Sequence, residues 1–251
     1  MKLETLKKLF LAFCTTLGYL FILIAGGLYL DSYFFADKFH NAQHYANFVM
    51  LAAFILLFWQ STNKTRELMI YAVLIGIFGE YLFSLGLSMY TYRLGNVPHY
   101  VPFGHAIVYI ATLLFSKKPI VKKYRKPIEY IFAVFIIGYS TLFLVFKTDI
   151  FGFIMSMAVI YLLRNKPKER LFFLSMYVVV AYLEIVGTNY KCWYWPETAW
   201  GVIPFLKSAN PPSGISLFYF LLDLGCLWFY KQRNLIAWSR MKNIRRLKLA
   251  N

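Results

Sequence analysis

The chain has 251 residues, of which 60% are hydrophobic, 20% aromatic and only 15% charged. Soluble domains carry charge on about a quarter of their residues, so this composition excludes an ordinary soluble fold. The formal net charge of +16 would point to nucleic acid in a soluble protein. Here Lys and Arg cluster between long apolar runs, which makes them topology signals and contacts to anionic lipid instead, and no nucleic-acid partner is expected.

Hydrocarbon admits only helices or closed barrels, and barrel strands alternate apolar and polar residues. The runs here do not alternate, so the chain reads as an all-α polytopic membrane protein. A span needs about 20 mostly apolar residues. In chain order that ruler predicts about eight helices, at 9–30, 45–60, 68–89, 101–115, 128–146, 150–163, 171–187 and 215–230. The first is read as a retained helix: "LAFC" ending at Cys14 resembles a lipoprotein cleavage site, but Phe13 is too bulky for one. Cys14, Cys192 and Cys226 have no metal-ligand spacing and imply no disulfide framework.

The connections alternate in charge. "NKTRE", "SKKPIVKKYRK", "RNKPKER" and both ends of the chain are basic, whereas 31–44, 90–100, 147–149 and 188–214 hold few Lys or Arg. An even number of spans with both termini in the cytoplasm satisfies this asymmetry, and a bacterial inner membrane is the expected setting. In the tail, Leu235, Ile236, Trp238, Met241 and Ile244 lie among basic residues, as in an interfacial helix on anionic lipid or a solvated basic tail.

Two segments about a hundred residues apart share an order of features. Glu80, Gly86, Tyr90, Tyr92, Gly95, Pro98, Pro102, Gly104 and Tyr109 are echoed by Glu184, Gly187, Trp193, Trp195, Gly201, Pro204, Pro212, Gly214 and Tyr219. "GNVP" matches "GVIP", and "PFGHAIVY" matches "PSGISLFY", with identical spacing. The expected organisation is therefore two parallel four-helix repeats, 1–116 and 117–231, followed by the basic cytoplasmic tail 232–251. Prolines in such a motif suit helix starts, glycines allow close approach, and aromatic rings suit an interfacial belt.

Glu80, Glu184 and Asp223 fall inside apolar runs, where a carboxylate is expensive and faces a protein interior or cavity. A carboxylic acid in an apolar pocket is a proton donor, the property a general acid needs. The bland alternative is an interhelical hydrogen bond, for instance from Glu80 to Tyr92 or His105. Asp223 has no counterpart in the first segment, where Leu113 stands. His105 likewise has no echo, since Ile215 occupies its place. His40 and His44 share a helical face if that segment is helical, but they lack the further ligands of a zinc or iron site, so an exposed loop is expected and no metal. There is no phosphate-binding glycine loop, no nucleophile elbow and no Asp-rich magnesium motif.

A helix carrying Glu, then Gly, Tyr-x-Tyr, Gly-x-x-Pro and a Pro before the next helix resembles the membrane-embedded carotenoid biosynthesis proteins, the bacterial carotenoid hydratases and the small lycopene cyclases. The resemblance covers 80–109 and its echo at 184–219, and "HYVPFGH" departs from the family pattern at His105. It implies acid-catalysed protonation of an alkene in a long isoprenoid substrate, with no cofactor. Glu80 or Glu184 would be the acid; His105, outside the family pattern, is a catalytic candidate on its own position, since it follows the Pro-x-Gly turn toward the layer of Glu80. Tyr90, Tyr92, Pro98, Pro102, Tyr109, Trp193, Trp195, Pro204, Tyr219 and Asp223 would line the substrate site, the aromatic faces stabilising a cation. The partners expected are membrane lipid and an apolar small molecule, and a homo-oligomer is compatible. Two other classes fit the same residues: a proton-coupled carrier or channel, and a lipid-sensing effector without chemistry.

Overall fold

The computed structural model describes residues 3–236 together with Ser239 and Arg240. Each predicted apolar segment is helical. The long helices are α1 (Leu3–Leu30), α2 (Ala42–Gln60), α3 (Asn63–Gly86), α4 (Tyr100–Lys117), α5 (Arg125–Lys147), α6 (Ile150–Leu163), α7 (Arg170–Asn189) and α8 (Ser216–Arg233). Among the described residues five of these, α1, α2, α3, α5 and α7, are long and apolar enough to cross a membrane, as expected of an integral membrane protein. α6 is strongly apolar but has only 14 residues.

Local chemistry sets the helix ends. Thr62 caps α3 by accepting from the Thr65 amide, and Asp149 caps α6 by accepting from the Gly152 amide; both satisfy amides that have no partner within the helix. α1 contains a π turn at Cys14–Gly18, where the Thr15 and Thr16 hydroxyls donate back to the Leu11 and Ala12 carbonyls. α3 closes on another π turn, Tyr81–Gly86, which begins directly after Glu80. Such widened turns are frequent at functional sites.

α4 and α7 form the core. α4 packs on α2, α3 and α7, while α8 packs on α3 and α7, so α3, α4, α7 and α8 close a ring. α1 and α2 flank the ring on one side, with α1 against α7. α5 and α6 pack on each other, with α5 against α7. Outward faces carry exposed apolar side chains such as Phe48, Trp59 and Phe146, as a lipid-facing surface requires. Between the helices, where lipid gives no hydrophobic advantage, close approach depends on small residues. At Gly214 an added Cβ would overlap the Gly152 carbonyl oxygen and come within 2.6 Å of Met155 Cβ, so only glycine lets the approach to α8 sit on α6.

The connections depart from the all-α expectation at two small ribbons. β1 (Thr91–Tyr92) pairs antiparallel with β2 (Trp193–Tyr194), in register Thr91 to Tyr194 and Tyr92 to Trp193. β3 (Thr198–Ala199) pairs with β4 (Ile203–Lys207), and β4 packs on α6. Asp149 ties this second connection down, accepting from the Ala209 amide at 3.0 Å and the Ser213 amide at 2.7 Å. The first connection is tied down by Asp31, which follows α1: its carboxylate accepts from Arg93 Nη2 at 2.6 Å and from the Tyr100 hydroxyl at 2.9 Å. Burial pushes the Asp31 carboxyl up from its ordinary range, against the pull of Arg93 and Tyr100.

The helix-start expectation for the prolines holds unevenly. Pro102 lies in the first turn of α4 and Pro98 is buried just before it, but Pro204 is exposed in β4, well ahead of α8. The longer insertion in the second connection folds as a ribbon instead of entering a helix directly. In the tail, Leu235 and Ile236 are exposed, whereas Trp238, Met241 and Ile244 lie outside the described residues.

Candidate functional site

Glu80 and Glu184 occupy corresponding places near the ends of α3 and α7, on the ring's inner side. Glu80 lies one turn beyond Gly76, on the face of α3 that meets Pro102 and His105 of α4. Its Oε1 is 2.6 Å from His105 Nε2, and its Oε2 accepts from both the Tyr90 and the Tyr92 hydroxyls at 2.6 Å. Glu184 Oε2 accepts from Trp193 Nε1 at 2.9 Å and Trp195 Nε1 at 3.0 Å. Among the described residues its Oε1 has one long contact, from the Tyr219 hydroxyl at 3.3 Å.

β1 and β2 produce this arrangement. Tyr90 directly precedes β1 and Trp195 directly follows β2; residues two apart along such a ribbon point to the same face, so Tyr90 with Tyr92, and Trp193 with Trp195, each present two polar tips to one carboxylate. Pairing the strands then interlocks the rings. Tyr90 and Trp195 are 4.6 Å apart between centroids, and Tyr92 and Trp193 are 6.0 Å apart. Burial, with the Glu80 charge beside them, pushes the Tyr90 and Tyr92 hydroxyls well above their ordinary range, so both stay neutral donors. Gly187 is required here: an added Cβ would overlap the Trp193 indole, which lies across α7 to reach Glu184.

Both carboxylates face one cavity of about 280 Å³. Glu80, Glu184, His105, Tyr90, Tyr92, Trp193, Trp195 and Tyr219 are all in its wall. Tyr219 joins the two halves, its ring 5.0 Å from that of His105 and its hydroxyl toward Glu184. The remaining wall is apolar and comes largely from α1, α3, α4 and α8.

Pro98, Pro102, Tyr109, Pro204 and Asp223 do not line this cavity. Tyr109 stands one turn beyond His105 on α4, and Asp223 one turn beyond Tyr219 on α8. Both are buried, and among the described residues the Tyr109 hydroxyl and Asp223 Oδ2 have no hydrogen-bond partner. The rings predicted as an interfacial belt are turned inward instead: Tyr92, Trp193 and Trp195 are buried, because each has a carboxylate to satisfy. His40 and His44 are exposed, in a turn and at the start of α2, and among the described residues no cluster of three or more His, Cys, Asp or Glu could hold a metal.

Sequence reasoning missed two groups. The α1 wall residues Leu20, Ile24 and Leu28 carry no signal, since their chemistry matches that of lipid-facing leucines. The Asp31–Arg93 pair did leave one: an Asp at the end of an apolar run and an Arg in a connection otherwise poor in basic residues. Comparison with family models, with curated proteins and with solved structures finds no match to this chain.

Proposed function

We propose that this protein is an integral membrane enzyme that protonates an alkene of a long apolar, isoprenoid-like substrate, leading to hydration or cyclisation. The observation that carries the reading is the convergence of Glu80, His105 and Glu184 on one mostly apolar cavity, each carboxylate held by two aromatic donors. The hydrogen bonds divide the roles. Glu184 Oε1, which among the described residues accepts only the 3.3 Å contact from the Tyr219 hydroxyl, is the oxygen that carries the proton. Glu80 and His105, 2.6 Å apart, form the pair that takes one up.

In hydration, the Glu184 proton forms the new C–H bond at the less substituted alkene carbon. A tertiary cation remains, and the glutamate becomes a carboxylate held by two indole N–H groups. Faces of Tyr90, Trp193 and Trp195 attract the cation, each at about 0.5–2 kcal/mol. Water adds to the cation and its surplus proton passes to the Glu80–His105 pair. Tyr219 stands between that pair and Glu184, where it returns the proton. One water is added across one double bond and nothing is oxidised, so the balance needs no cofactor. In cyclisation a second alkene captures the cation, and a proton lost from the neighbouring carbon goes to the same pair.

The architecture belonging to this reading is eight spans as two parallel four-helix repeats, with the basic connections and both termini in the cytoplasm. The paired β1 and β2, the matched carboxylate-aromatic sets, and Asp31 and Asp149 in corresponding places after α1 and α5 support the repeat. The alternation of basic connections supports the orientation. The likeness of 80–109 to the carotenoid hydratases and small cyclases supports the substrate class.

The test uses vesicles containing the protein and an acyclic isoprenoid with a terminal trisubstituted alkene, in D2O. Deuterium at the alkene carbon, read by mass spectrometry, reports protonation whichever product forms. Glu184→Gln and Glu80→Gln should each lower incorporation by about 10²–10⁴-fold, the usual worth of a general acid or base. Incorporation unchanged in both would remove the acid role.

A further inference from the structure

The cavity wall has an asymmetry that bears on how a substrate arrives. At its far end it stops on Leu20, Ile24 and Leu28 of α1, all buried at 3–4% exposure. At its near end it is bounded by Phe78 and Leu82 of α3 and Leu221 of α8. These also face the outside of the bundle, with 68%, 39% and 58% exposure. Residues that line a cavity and are exposed on a lipid-facing surface mark its mouth.

Contacts above and below frame that mouth. Toward the basic end, α3 and α8 are in close contact, where a Cβ added at Gly225 would lie 3.2 Å from Ile75 Cδ1. Toward the ribbon end, Phe83 and Phe218 meet edge to face at 5.4 Å between centroids. Ile75 to Phe83 is eight residues of helix, or about 12 Å at 1.5 Å per residue. Glu80 lies between these two heights, on the cavity side of α3. The gap thus leads from the lipid-facing surface directly to the carboxylates.

Volume decides what the gap admits. Whole small-molecule ligands occupy pockets of roughly 300–1,000 Å³, and this cavity holds about 280 Å³. A long hydrocarbon cannot be enclosed in it. One end can be, while the rest remains in lipid.

We propose that the gap between α3 and α8 is a lateral doorway through which one end of a linear hydrocarbon chain enters from the bilayer core, so that a reaction at the carboxylates is confined to chain ends. This deepens the reading above and rests on it only for the chemistry done at that end. Entry itself is independent of that chemistry.

The experiment follows entry by fluorescence. Trp59, Trp200, Trp228 and Trp238 are replaced by Phe, leaving Trp193 and Trp195 in the cavity wall, and the protein is reconstituted in vesicles holding a long-chain 1-bromoalkane as quencher. Leu82→Cys and Leu221→Cys, in a Cys14→Ser background, are bridged by a reducible bifunctional thiol reagent. Strong quenching is expected before bridging, a several-fold loss after it, and recovery on reduction. Gly79 is in the cavity wall between Phe78 and Glu80, and a Cβ added there would lie 3.9 Å from the Phe83 ring; Gly79→Phe, which adds bulk there without a linker, should give the same loss. Quenching unchanged by both obstructions, no quenching in the open protein, or strong quenching by aqueous acrylamide would each overturn the doorway. Glu80→Gln and Glu184→Gln should keep the bromoalkane quenching. Loss of the chemical reading with quenching intact therefore leaves the doorway standing, and quenching unaffected by obstruction removes the doorway alone.

Discussion

Asp223 differs from Glu80 and Glu184 in what surrounds it. The two glutamates together receive hydrogen bonds from two tyrosines, two indoles, Tyr219 and His105, whereas Asp223 Oδ2 has no partner among the described residues and the residue is 1% exposed. An unsatisfied buried polar group costs about 1–3 kcal/mol, and an apolar replacement of similar shape removes that cost. Asp223→Leu should therefore raise stability by about that amount, read as a higher unfolding temperature in detergent, and should leave deuterium incorporation unchanged. A fall in stability would mean that Asp223 has a partner in the membrane. The sequence placed all three carboxyls in apolar runs and set Asp223 apart only by its lack of a counterpart in the first segment. Only side-chain packing separates the pair that shares a cavity from the third, because one helical turn moves Asp223 a layer deeper.

At the scale of elements, the site depends on the ends of α3 and α7 and on the ribbon joining their connections. Gly187 is the sensitive point. Its Cβ position is already occupied by the Trp193 ring, so Gly187→Ala must push the indole off Glu184 or bend α7. Overpacking of this kind costs about 1–3 kcal/mol. The expected outcome is a destabilised protein with altered Trp193 fluorescence and reduced deuterium incorporation; an unchanged spectrum and stability would show that the ring relaxes freely. Gly187 was visible in the shared order of features, but its meaning was not. Tyr-x-Tyr and Trp-x-Trp suit an interfacial belt in general physical terms, and nothing local in the chain reveals that two strands a hundred residues apart pair and turn those rings inward. Pro204 shows the converse. It matches Pro98 in the sequence pattern, yet the longer second connection has room for β3 and β4 and takes it into a strand.

At the scale of the whole molecule, the charge alternation makes a separable claim about orientation. Phe39, exposed in the connection after α1, and Lys166, in the basic connection after α6, should lie on opposite sides of the membrane. With the native cysteines replaced, Phe39→Cys should react with an impermeant thiol reagent added outside right-side-out vesicles or cells, and Lys166→Cys only after the membrane is opened. Labelling of both from one side would rule out the eight-span arrangement. Class, helix positions and the presence of carboxyls in the apolar phase were all determined by the sequence itself, because each follows from the cost of exposing polar groups to hydrocarbon and can be read locally. The tertiary structure alone decided that Glu80, His105 and Glu184 share one cavity, that α1 closes its far end, and that it opens between α3 and α8. Those outcomes depend on which apolar faces meet, and leucines facing a cavity, a neighbouring helix or lipid are chemically the same residue.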